Sequence, residues 1–313
     1  MGSLALQLTV LPIYYLLAVA EAFWLIRRGR AYDRGEALAS VGVTLGHFLT
    51  SAAMGGLGLA LTTVVYRHRI LDLGTGSVLS WLGLFIGVEF FYYWYHRAAH
   101  EIRFFWATHT VHHSANQLTL LSAYRLGWTS VFSGSVLFFL PLAWLGFPPQ
   151  AIFLVFALNL LYQFWLHTEL VPKLGPLEWV LNTPSHHRVH HAANGQYLDA
   201  NYGGVLIVFD RLFGTLRVER DDLPCRFGLV KPVTTRNPFR LVFGEWIAVG
   251  RDVAQARSWR ERWHYVFGLP GWSPDGSRQT SAMLRAAAER AETEREAAAV
   301  GAELLILPRQ AAR

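Results

Sequence analysis

Cysteine is almost absent. Cys225 stands alone, which excludes an internal disulfide and any zinc site built on thiolates. Charge is scarce as well: Asp, Glu, Lys and Arg make up 16% of the chain, against about a quarter in soluble domains. There is no glycine-rich nucleotide loop and no internal repeat, which sets aside dinucleotide and P-loop enzymes and solenoids. The charge that remains is basic on balance, +6. It sits beside apolar segments and near the C-terminus, which suits a membrane surface better than nucleic acid.

Apolar residues fill the space that charge leaves, at 52% of the chain, with aromatics at 14%. Residues 4–26 are long enough to cross a bilayer. The run passes Ala18-Val19-Ala20 without a basic leader before it, so it reads as a retained helix rather than a cleaved signal. Arg27, Arg28, Arg30 and Arg34 follow and place this end in the cytoplasm. Residues 37–65 are a second apolar run, rich in the small residues that allow close packing in lipid. The cluster Tyr66-Arg67-His68-Arg69 then falls on the far side, against the charge rule. A re-entrant hairpin over 37–65 would remove that conflict, and both readings stay open. A third run, 78–95, leads into His96 and carries Glu89, an expensive group inside a membrane. Glu89 is either functional or hydrogen-bonded to a neighbouring helix. Residues 131–145 and 151–168 read as a helical hairpin around the turn Gly146-Phe147-Pro148-Pro149. Tryptophan and arginine interleave over 246–263, which suits a helix on the membrane surface. Residues 282–300 read as a solvated terminal helix.

Nine of the thirteen histidines lie in 96–113 and 186–191. His96 and His100 are four apart; His109, His112 and His113 are related by three and four, as are His187, His190 and His191. Such spacings put each group on one helix face, where neutral imidazoles can converge on a metal. Carboxylates are few here, which disfavours Mg²⁺. Eight or more imidazoles exceed what one ion can take, so two metals, each with four or five, account for the number. Iron and zinc both accept imidazole. His47, His68 and His264, each isolated, read as ordinary core or interface residues. A site at the mouth of lipid-embedded helices points to an apolar, membrane-dissolved substrate.

The pattern His96-x3-His100, His109-x2-His112-His113 and His187-x2-His190-His191 resembles the eight-histidine signature of the fatty acid hydroxylase / sterol desaturase superfamily. The words YYWYHRAAHE, WATHTVHHS, LLYQFWLHTE, LNTPSHHRVHH and NYGGVLIVFDRLFGT resemble its alkylglycerol monooxygenase branch. The likeness covers roughly residues 80–220. It implies a membrane di-iron oxygenase that puts one atom of O₂ into a lipid C–H bond, in an ether lipid or an acyl chain. It also implies two iron ions and an electron donor or reductase, with tetrahydropterin as the donor in that branch. The resemblance makes His96, His100, His109, His112, His113, His187, His190 and His191 metal ligands and His167 a further one. Glu101 matches a Glu after the first histidine box that orients a ligand or acts on substrate or pterin. His186, Asn201 and Asp210 are candidates to partner the ligands' other ring nitrogens; for Asp210 an ordinary pair with Arg211 or a helix end is the rival.

The expected fold is all-α: an integral, multi-pass membrane bundle with a cytoplasmic histidine-rich helical cap and four to six embedded segments. Residues 1–77 would be N-terminal transmembrane helices, 78–220 the catalytic domain, and 221–313 a C-terminal surface and cytoplasmic region. Nucleic acid is not expected as a partner. A lipid or sterol desaturase would share the di-iron site. A metal transporter would instead place ionisable groups along a path through the midplane, and a haem protein would use paired single histidines deep in facing helices.

Overall fold

The computed structural model describes residues 2–306, with side-chain environments for residues 9–298. Helix α1 (Gly2–Arg27) and α2 (Arg34–Arg67) are joined by a short basic loop. The Asp33 carboxylate starts α2 by accepting from the N–H groups of Gly35 and Glu36, as an N-cap does. α2 is one continuous helix, so the hairpin alternative for 37–65 is not adopted. At about 1.5 Å per residue it exceeds a bilayer core, and its basic end can stand clear of lipid. α3 (Val78–Glu101) begins on a Ser77 cap. These three helices are long and apolar enough to cross a membrane. Their outward faces carry Leu16, Val19, Leu38, Leu45, Leu49, Val78 and Leu79, all well exposed, as lipid-facing residues are. The chain is a membrane protein.

α3 ends at one extended residue, Ile102 (φ −120°, ψ 119°), and α4 (Arg103–His113) starts at once. The amide of Arg103 donates to the Gly268 carbonyl at 3.0 Å, which holds the corner. Residues 131–145 are not one helix: turns and a 3₁₀ segment lead into the short α5 (Leu140–Leu145). α6 (Pro149–Phe164) returns. Leu84, Val88, Tyr92, Phe139, Leu142, Ile152 and Val155 form the core between α3, α5 and α6. α7 (Pro184–His190) starts with proline at its first position, where the missing N–H costs nothing. α8 (Val208–Phe213) follows.

α9 (Pro238–Gln255) does more than lie on a surface. Its Leu241 and Val242 are buried with Val111 of α4 and with Ala39 and Val43 of α2. α10 (Trp259–Phe267) leaves Trp259 and Trp263 exposed. α11 (Ser281–Ile306) is mainly exposed over 281–298, yet it docks through Arg285, which donates to the Leu198 carbonyl at 2.7 Å. Among the described residues there is no strand, only two isolated bridges.

The elements share two ends. Gln117, just beyond α4, accepts from the Asp33 amide and donates to the Ala31 carbonyl, so the α1–α2 loop lies at the histidine end. At the other end the Ile70 amide donates to the Trp144 carbonyl, which sets the α2–α3 loop beside the α5–α6 turn.

Candidate metal centre

The corner at Ile102 folds α4 back on the end of α3, so rings thirteen residues apart meet: His96 Nε2 lies 3.1 Å from His109 Nε2. α7 supplies the third side. A seven-residue helix is not stable alone, and Arg188 anchors it: its guanidinium grips Glu219 at 2.7 and 2.6 Å and donates to the Val171 carbonyl at 2.7 Å. That pins α7 beside the segment after α6, where His167 stands.

Two groups of ligand atoms result. His96, His100, His109, His113 and His190 form one, and His112, His167, His187 and His191 the other; within each group one nitrogen per ring lies within 4.8 Å of all the rest. The groups adjoin, because the rings of His113 and His191 stack at 4.3 Å. All nine histidines singled out in the sequence as ligands are brought together. His186 is buried but belongs to neither group.

Backbone carbonyls fix three tautomers. His96 Nδ1 donates to Tyr202 at 2.9 Å, His190 Nδ1 to Ala200 at 2.9 Å, and His167 Nδ1 to Gln163 at 2.8 Å. Their Nε2 atoms therefore carry lone pairs. In the four-membered group, Nε2 atoms lie 3.1 Å apart for His112 and His167, 3.0 Å for His167 and His187, and 3.0 Å for His187 and His191. Each neutral imidazole has one proton, and that of His167 is committed at Nδ1. Hydrogen bonds fill all three contacts only if one proton is shared. A cation fills them all. Metal–nitrogen bonds of about 2.0–2.1 Å put neighbouring donors about 2.9 Å apart at a right angle and about 3.4 Å apart at the tetrahedral angle, and the observed spacings fall between. In the other group, Nε2 of both His100 and His190 is buried with no partner, the condition of a ligand atom facing a metal position. The residues therefore fit a metal.

The rings are also in the right charge state. Burial holds His109, His112, His113, His187, His190 and His191 well below the usual histidine value, and their neighbours in the cluster push the same way. Burial likewise brings His167 down to about 4. All are neutral at physiological pH, as ligation requires.

The side chains expected to partner the rings act one step further back. Asp210 accepts from the amides of Tyr202 and Gly203 at 2.7 and 2.8 Å and from the Thr215 hydroxyl at 2.7 Å. It thereby holds the turn whose carbonyl orients His96. It does not pair with Arg211, which donates to the Trp179 and Glu178 carbonyls. Asn201 donates to the His186 and Arg217 carbonyls and accepts from the Arg217 amide. Glu101 joins neither group; Arg97 donates to it at 2.9 Å. Glu89 takes the structural alternative: it accepts from Asn159 of α6 and, at 2.8 Å each, from the amides of Val205 and Leu206. Close by, an added Cβ on Gly204 would meet Asn159 Nδ2 at 2.1 Å, so only glycine admits this approach. His47, at 3.1 Å from the Gly127 carbonyl, is the interface residue expected.

Sequence reasoning missed Asp199, whose Oδ1 lies 3.6 Å from His100 Nδ1, and the buried Tyr202 hydroxyl, which has no partner. The only sequence signal for the first was an Asp near an Asn, residues that tolerate positive φ.

Residues 81–215 match the family model described as fatty acid hydroxylase. Alkylglycerol monooxygenase of Xenopus tropicalis is 36% identical over 79% of this chain and 55% of its own length. The Homo sapiens protein of that name is 39% identical over 69% and 48%. An ornithine lipid hydroxylase of Rhizobium tropici is 28% identical over 66% and 63%. The chain thus spans about half the length of the animal relatives it matches. No solved structure matches. The histidine groups and the family match together indicate iron binding.

Proposed function

We propose, from the premise that residues 81–215 are a fatty acid hydroxylase domain, that this chain is a membrane oxygenase that hydroxylates a C–H bond of a lipid. The observation that carries the reading is the pair of adjoining imidazole groups at one end of an apolar helix bundle. Nine lone-pair donors, eight of them buried, suit two iron ions, one held by His96, His100, His109, His113 and His190 and the other by His112, His167, His187 and His191. Iron bound there supplies the activation of O₂.

The protein's own part is positioning. The Tyr202, Ala200 and Gln163 carbonyls hold a proton on Nδ1 of His96, His190 and His167 and so aim each Nε2 inward. Burial of all the ligating rings but the half-buried His109 keeps water away. α3 runs from the lipid-exposed Val78 to the ligand His100, so a chain lying along it in the bilayer reaches the site. The reaction R–H + O₂ + two electrons + two protons → R–OH + H₂O needs a two-electron donor; a reduced pterin or a reductase fits that class. Glu101, beside the five-histidine group, acts on substrate or donor. Residues 78–220 are the catalytic unit, after N-terminal membrane helices in 1–77. Residues 221–313 follow it as a C-terminal region, whose α9 lies against α4.

The helices run several times through the membrane with the site in the cytoplasm, since Arg27, Arg28 and Arg30 stand at the histidine end. The test compares lipid extracts with and without expression of the chain, under isotopically heavy O₂. Lipids that gain one heavy oxygen support the reading. Loss of two hydrogens would make the enzyme a desaturase, and unchanged lipids would overturn both.

A further inference from the structure

One short segment touches three of the five rings in the larger group. In residues 199–202, the Ala200 carbonyl accepts from His190 Nδ1, the Tyr202 carbonyl accepts from His96 Nδ1, and the Asp199 carboxylate faces His100 Nδ1 at 3.6 Å. The segment has an unusual backbone. Asp199 (φ 55°) and Asn201 (φ 58°) are the only non-glycine residues with positive φ among those described. Such conformations are strained and persist where the surroundings impose them. Here Asp210 and Asn201 hold one side, and Arg285 of α11 grips the Leu198 carbonyl on the other. Ser281 hydrogen-bonds the Asp199 carboxylate, and the Arg285 charge acts on it through space.

We infer that Asp199 is a positioning residue for the five-histidine metal position, taking a hydrogen bond from His100 Nδ1 when the opposite nitrogen binds metal. The inference rests on the proposed di-iron reading. The other outward partners are neutral carbonyls, whereas Asp199 offers an anion. Among the described residues no carboxylate stands in this relation to the four-histidine group. A carboxylate behind an imidazole makes it a stronger donor and fixes its orientation, and loss of such a partner typically costs about 10–100-fold in metal affinity. The two positions are therefore inequivalent, and α11 contributes to one of them from far along the chain.

Asp199→Asn keeps the size and tolerates positive φ. It should lose one of the two metals to a chelator about 10–100-fold faster than the unaltered protein, while the other leaves at the original rate. In Mössbauer spectra of iron-loaded protein one signal should shift and the other should stay. Arg285→Met, which loosens the segment and spares the carboxylate, provides a second variant should Asp199→Asn not fold; it should speed release of the same metal. Unchanged release and spectrum, or equal acceleration of both metals, would overturn the inference. An unaltered protein that binds no metal would instead overturn the di-iron reading.

Discussion

Glu101 follows the proposed ligand His100 directly, yet its carboxylate pairs with Arg97 four residues earlier. On a helix it is offset by about 100° from His100, which keeps it off the ligand face. A half-exposed pair of this kind contributes only about 0.3–0.5 kcal/mol, too little to be the reason for a carboxylate here. Glu101→Gln should therefore leave metal content and membrane yield near normal and strongly reduce lipid oxidation. His112→Ala should lose metal and activity together. Full turnover in Glu101→Gln would leave Glu101 only its pair with Arg97, and metal loss as complete as in His112→Ala would make it a ligand. The neutral histidines set a second expectation. Their folded values lie below the unfolded one, so below about pH 6.5 the unfolded chain binds more protons and stability falls with pH. The slope is about 1.4 kcal/mol per histidine per pH unit, and for His167 it continues down to about 4. Metal-free protein should melt at a clearly lower temperature at about pH 5 than at about pH 7.5. Equal melting points would contradict the burial of neutral imidazoles.

The two histidine groups were legible because imidazoles at helical spacing leave a pattern that depends on residue type alone. The elements that aim them were less so. Nothing in Ile102 marks a corner, since no proline or glycine stands there and the break is held by the Gly268 carbonyl from a distant loop. Residues 131–145 are mostly apolar and read as a helix, but hydropathy does not report the left-handed Gly134 (φ 73°) that divides them. The ring partners were missed because most are backbone carbonyls, which any residue supplies. Glu89 left both readings open until α6 and the 205–206 loop were placed around it. Its role predicts a graded response. Glu89→Ala would strand the donors of Asn159, Val205 and Leu206, at about 1–3 kcal/mol each. Thermal stability in detergent should fall sharply for Glu89→Ala and less for Glu89→Gln, which keeps one acceptor. A Glu89→Ala protein as stable as the original would refute the fastening role.

The whole molecule sorts its loops into two ends, and the proposed orientation puts the histidine end in the cytoplasm. With the α1–α2 loop and the histidine groups together and the α5–α6 turn opposite, a cysteine at Gln150 should react with an impermeant reagent added outside cells, and one at Ala115 should not. The reverse pattern would overturn the orientation. Three helices are long and apolar enough to cross, and the apolar segments 135–145 and 149–164 are shorter. Above all, the bundle exists to bury two adjoining sets of lone pairs in one place. The most direct test counts metal in protein purified from iron-rich cells. The account predicts two iron ions per chain, and a metal count lowered in His187→Ala as in His112→Ala, whose rings share one group. A reproducible single ion per chain in the unaltered protein would contradict it.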